Sequence, residues 1–140
     1  MSRTTKFYYW ALICCCGATV CTMAFPWFSF DLSVMACYGF CVLPAIFVPM
    51  LLIAVFLVRN SFLRWEHILM ELSLLFLPLC FIYYFLMWHV PNITGKINLQ
   101  TSLRTALPAF WVALGLSIAM FLLYQCFWHS LKRQRKASAG

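Results

Sequence analysis

Charge is what this sequence has least of. Among 140 residues only Asp31, Glu66 and Glu71 are acidic and ten are basic, so charged side chains make up 9% of the chain against 65% hydrophobic. A water-soluble domain carries roughly a quarter of its residues as charges. A shell this thin cannot keep so apolar a chain dissolved, which leaves the bilayer as its solvent.

Chemical signatures are missing too. The sequence has no C-x-x-C, no pair of catalytic carboxylates, no nucleophile beside a base, no glycine-rich phosphate loop and no zinc motif. No catalytic residue and no metal centre are therefore expected, and the chain is not expected to be an enzyme. Four-helix thiol oxidoreductases that reduce quinones need a C-x-x-C pair at a membrane surface, which is lacking. The eight cysteines all fall in or beside apolar runs, where cysteine behaves as a small hydrophobe. Packing is their expected role, with a Cys21–Cys37 disulfide near the outer face as the alternative.

What the sequence does contain is long apolar runs. Residues 7–25, 34–58, 66–88 and 107–128 hold no lysine or arginine, and each approaches or exceeds the ~20 residues needed to cross a ~30 Å hydrocarbon core. The runs are continuous rather than alternating, which favours helices whose backbones satisfy their own hydrogen bonds. The predicted fold is an all-α membrane protein. Four transmembrane helices form two antiparallel hairpins in a single domain spanning 1–140, and 129–140 is a basic cytoplasmic tail. Arg3 and Lys6 before the first run imitate a signal peptide, but Pro26, three aromatics and another run follow directly, which suits a hairpin better.

Orientation follows from the basic residues. Arg3, Lys6, Arg59, Arg64, Lys132, Arg133, Arg135 and Lys136 would lie on one side and only Lys96 and Arg104 on the other. Positive charge stays inside, so both termini are predicted to be cytoplasmic (N-in/C-in), in a bacterial cytoplasmic (inner) membrane. Lys132, Arg133, Arg135 and Lys136 serve as topological anchors and attract anionic lipid headgroups. Basic residues confined to chain ends and one turn do not make a nucleic-acid surface. The expected partners are membrane lipids and another membrane protein or a second copy, with no nucleic acid.

The connections are short. Residues 26–33 carry Trp27, Phe28 and Phe30, expected at headgroup depth. Residues 59–65 make a cytoplasmic turn that joins the second and third runs as an antiparallel hairpin. Residues 89–105 form the one outward segment of any size, predicted to rest on the membrane through Ile97, Leu99 and Leu103. Asn92-Ile93-Thr94 spells a glycosylation acceptor too close to a span for use to be expected. Pro44, Pro49 and Pro78 predict kinks.

Small residues at every fourth position mark faces on which membrane helices pack closely. Ala109, Ala113 and Ser117 form one such stripe, with Gly115 and Ala119 as a second pair. Cys37, Cys41 and Ala45 form another in the second run.

The polar concentration lies at the cytoplasmic ends of the last two runs. His67 and Glu71 are i, i+4 neighbours, as are Gln125 and His129, so adjacent packing of these runs would let all four converge, with Tyr124 beside them. A carboxylate at mid-bilayer costs ~2.5–3.5 kcal/mol, which makes Glu71 a candidate functional residue. The structural alternative is a hydrogen-bonded helix clamp, with Glu71 reaching the headgroups or pairing with His67 or Arg64. No cofactor is expected, and ligation of a haem iron by His67 and His129 is the alternative.

These features predict a small polytopic membrane protein that acts as an accessory, assembly or interaction subunit of a larger membrane complex. The alternative is a small oligomeric transporter or channel coupling protons through Glu71. That architecture is similar to the small multidrug exporters, which also have four helices and one membrane carboxylate. Their glutamate lies in the first helix, where residues 7–25 have none, so the similarity is of architecture alone.

Overall fold

The structure, a computed structural model, describes residues 1–29, 36–38, 44–59, 64–90 and 94–140. It is almost entirely helical. In chain order the elements are α1 (Arg3–Thr22), β1 (Pro26–Ser29), β2 (Ala36–Tyr38), α2 (Pro44–Arg59), α3 (Arg64–Met87), the short α4 (Leu99–Thr105) and α5 (Pro108–Ala139).

Local chemistry sets the helix starts. Ser2 caps α1 by accepting from the Thr5 N–H at 3.3 Å, which satisfies one of the donors a helix N-terminus leaves open. Asn98 does the same for α4, accepting from the Gln100 N–H at 3.0 Å. Pro108 opens α5, a position where a missing N–H costs nothing and the fixed φ suits the helix. Pro44 is the first described residue of α2, and Pro49 and Pro78 lie inside α2 and α3.

Cross-contacts give the direction of each helix. The start of α1 meets the end of α5, where Thr5 and Ser130 share a hydrogen bond of 2.6 Å. The chain just past α1 meets the start of α5, where the Leu107 N–H donates to the Trp27 carbonyl at 2.8 Å. Tyr9 on α1 donates to the Leu57 carbonyl near the end of α2. His67 near the start of α3 meets Tyr124 at the middle of α5, while Phe85 near its end stacks on Phe110 near the start of α5. The starts of α1 and α3 and the ends of α2 and α5 thus share one end of the bundle. Arg59 and Glu66, 3.3 Å apart, tie α2 to α3 at that end.

Among the described residues two helices, α3 and α5, are long and apolar enough to cross a membrane. α1 has the length, 20 residues, but Thr5, Lys6, Tyr8 and Tyr9 dilute its apolar run. The described part of α2 has 16 residues, a rise of about 24 Å. The expected helical span 34–58 is corrected over its first residues, where Ala36–Tyr38 is a strand paired antiparallel with β1. The stripe of Cys37, Cys41 and Ala45 is consequently not the face of one helix, since Cys37 lies on β2 and Ala45 on α2; Cys41 lies outside the described residues, as do Phe30, Asn92 and Ile93. At the other end, residues 129–139 continue α5 as helix.

β1 departs furthest from the expectation of an interfacial loop. Trp27 and Phe28 are fully buried, among the largest side chains in the core. A strand presents its backbone to neighbours, and here Phe28 bridges to Ala106 while the Trp27 indole donates to the Thr22 carbonyl at 2.9 Å. With those polar groups satisfied, the rings can enter the bundle: Trp27 packs edge-on against Phe81, 5.1 Å between centroids, and Phe28 stacks on Trp88 at 5.3 Å. Below this aromatic plug the core is built from Leu12, Met70, Leu74, Leu77 and Met120, with Tyr124 and Phe127 toward the other end.

Candidate functional site

The shared end of the bundle brings α1, α3 and α5 together around an open cavity of about 930 Å³. His67 and Glu71 enter its wall from α3; Gln125, Trp128 and His129 enter from α5. One helical turn separates His67 from Glu71, placing Nε2 of the imidazole 3.6 Å from Oε2 of the carboxylate. Across the helix interface Gln125 Nε2 donates to Glu71 Oε1 at 3.0 Å. His67 Nδ1 and the Tyr124 hydroxyl are 2.9 Å apart. With the ring proton on Nε2 toward Glu71, Nδ1 accepts from the phenol.

His67, Glu71 and Gln125 are thus joined in one network that ties α3 to α5. His129 is exposed; it lines the same cavity but takes no part in that network. Both ring nitrogens of His67 face protein groups. Among the described residues no three His, Cys, Asp or Glu side chains converge as a metal site.

Trp128 is the member that the spacing argument missed. Its ring lies 3.7 Å from that of His67, nearly parallel at 15°, and Lys132 Nζ stands 5.6 Å from its centroid in cation–π range. The residue is nine-tenths buried, yet its Nε1–H has no acceptor among the described residues. The signal was present in sequence, because Trp128 lies four residues after Tyr124 and so on the same face of α5.

Hydroxyl and amide groups close the cavity toward the chain ends. Thr5 Oγ1 contacts Ser2, Ser130 and Gln134, while the Thr5 N–H donates to the capping Ser2 hydroxyl. These groups lock the start of α1 against the basic last turns of α5. The four basic residues expected at headgroup level are all exposed there; Lys132 and Arg133 line the cavity, and Arg135 stands 5.8 Å from the Trp128 ring.

Of the small-residue stripe on α5, Ala113 and Ser117 are fully buried and Ala109 packs against the core, while Gly115 is exposed. Cys21 is an exposed free thiol. His89, which had no assigned role, is fully buried at the opposite end of the bundle. Its Nε2 accepts from the Asn98 N–H at 3.4 Å, which leaves the proton on Nδ1 to be donated to Thr94 Oγ1 at 2.8 Å. Thr94 in turn donates to the Lys96 carbonyl, so one neutral imidazole holds the turn between α3 and α4.

The chain matches no protein-family model, no curated protein and no solved structure. Its own geometry is what bears on function.

Proposed function

We propose that this chain is a membrane-embedded, non-catalytic subunit whose work is to pack against another membrane protein. The observation that carries this reading is an apolar groove of about 340 Å³ between α2 and α3, lined by Val48, Pro49, Leu52, Leu69, Leu72 and Phe76. Helices in lipid associate through close fit rather than hydrophobic drive, and a groove between a short helix and a long one offers a neighbouring helix such a fit. The polar groups support the same reading, because Glu71, Gln125 and His67 hold the chain's own helices together.

Purification in a gentle detergent followed by mass spectrometry tests this proposal. A foreign membrane protein should co-purify in fixed stoichiometry, and Leu52→Trp, which fills the groove, should release it. A clean homodimer that Leu52→Trp leaves intact would count against the subunit reading.

The membrane placement belongs to the same proposal. Eight of the ten basic residues occur near the starts of α1 and α3 and the ends of α2 and α5, the bundle end at which positive-inside bias would put the cytoplasm. The reading is a four-pass protein of a bacterial cytoplasmic membrane with both termini inside. A fluorescent protein fused after Gly140 should fluoresce, and alkaline phosphatase fused there should be inactive; the reverse pattern would overturn the orientation.

One observation favours a second reading. The Glu71 side chain remains 38% exposed where it borders the cavity, as a proton-coupling carboxylate in a small oligomeric transporter would need to be. Glu71→Gln in liposomes should then abolish proton-coupled uptake. Unchanged flux would sink the transporter reading.

A further inference from the structure

The cavity at the base of α1, α3 and α5 does not end at Glu71. A second, apolar groove of about 240 Å³ begins there and shares Glu71 and Gln125 with it, continuing between Ile68, Leu72 and Leu75 of α3 and Phe121 of α5. Ile68, Leu72 and Leu75 fall at i, i+4 and i+7, one face of a helix, and span about 10 Å along the axis. A wide polar compartment and a narrow apolar one thus adjoin, with a single carboxamide–carboxylate pair between them.

The polar compartment has the chemistry of an anion site. Lys132 and Arg133 enter it from α5, and Ser2 and Thr4 from the N-terminal turn of α1, where the helix presents open N–H groups and the positive end of its dipole. Arg135 and Lys136, one turn further on, are outside the lining. Trp128, nine-tenths buried in the wall, carries an indole N–H with no acceptor among the described residues. Two cations and one carboxylate line it, and that carboxylate is already held by Gln125 and His67. Position along α5 agrees as well, because the cavity lies where its apolar run gives way to its basic one, the depth of lipid headgroups.

We propose that this pair of compartments binds one phospholipid of anionic headgroup, with the phosphate against Lys132 and Arg133 and an acyl chain in the groove between α3 and α5. A glycerol headgroup adds hydroxyl donors that reach Glu71, so phosphatidylglycerol is the species of choice. The inference rests on the membrane reading above but not on the existence of a protein partner.

The test uses the full chain reconstituted in vesicles of equal phosphatidylglycerol and phosphatidylcholine, extracted gently and weighed by native mass spectrometry. Wild type should retain one phosphatidylglycerol with a preference of roughly tenfold or more over phosphatidylcholine. Lys132→Gln with Arg133→Gln should reduce the preference toward unity, and Lys132→Arg with Arg133→Lys should restore it. Arg135→Gln with Lys136→Gln should leave it in place. Leu75→Trp, which blocks the groove without touching a charge, should lower retention of the lipid.

Equal loss in the two glutamine pairs would show diffuse attraction to a basic helix end and overturn the site. Displacement of the lipid by soluble glycerol phosphate at comparable concentration would assign the cavity to a free phosphate and overturn it also. Resistance of the protein to carbonate extraction is read in parallel. A chain that washes off the membrane refutes the membrane reading, whereas an integral chain without lipid preference refutes the site alone.

Discussion

Gln125 donates to Glu71 across the α3–α5 interface at 3.0 Å, and the same carboxylate lies 3.6 Å from His67 one turn earlier on its own helix. A single acidic side chain thereby sets both the pairing of two helices and the orientation of an imidazole that stacks on Trp128.

The Glu71–Gln125 bond should register as coupling. Interhelical hydrogen bonds in membrane proteins are worth about 1 kcal/mol, and removal of either partner loses the same bond. In a double-mutant cycle of Glu71→Ala and Gln125→Ala, followed by detergent-titrated unfolding, the double variant should be less destabilised than the sum of the singles by about that amount. Strict additivity would mean that the pair does not form.

Trp128 separates ring packing from hydrogen bonding. Trp128→Phe keeps a ring against His67 while removing an indole N–H whose burial without an acceptor costs about 1–3 kcal/mol, so its melting temperature should stay near wild type. Trp128→Ala removes the stack and should cost about 3–5 kcal/mol. Equal losses in the two variants would show that the indole nitrogen has a partner.

Trp27 tests the burial of β1. If its ring plugs the bundle between Phe81 and Phe110, Trp27→Ala should destabilise by about 3–5 kcal/mol. Trp27→Phe should recover most of that, losing chiefly the bond to the Thr22 carbonyl. A tryptophan at headgroup depth would instead tolerate alanine with little change, and tryptophan fluorescence quenching by a water-soluble quencher would be strong.

His89 should prove structural. His89→Ala removes the acceptor for the Asn98 N–H and the donor to Thr94, at a cost of about 2 kcal/mol or more. The local effect should be larger than the global one, so limited proteolysis between residues 94 and 98 is the sensitive readout. An unchanged cleavage pattern would remove His89 from its place as organiser of that turn.

Some of this was legible without coordinates because it depends on local sums. The convergence of His67, Glu71 and Gln125 could be proposed from two i, i+4 spacings, since helical geometry alone places residues four apart on one face. The burial of Ala113 and Ser117 could be proposed the same way. Trp27 and Phe28 misled for the opposite reason. An aromatic cluster beside a span reads as an interfacial belt, and only the hydrogen bonds from Leu107 and to Thr22 make it possible to bury that backbone.

Composition by itself carried the expectation of a bilayer as solvent and of helices. Thirteen charges in 140 residues predict too little polar surface for water, and continuous apolar runs favour the helix as the backbone's way to satisfy itself. Tertiary structure decided which of those runs become long helices, which aromatics enter the core, and which polar groups meet. The burial of Trp27 and Phe28 and the union of the α1 start with the α5 end depend on partners distant in sequence. Glu71 shows the division plainly: its spacing from His67 follows from one helix, but its bond to Gln125 and its place between a polar cavity and an apolar groove exist only because α3 and α5 pack side by side.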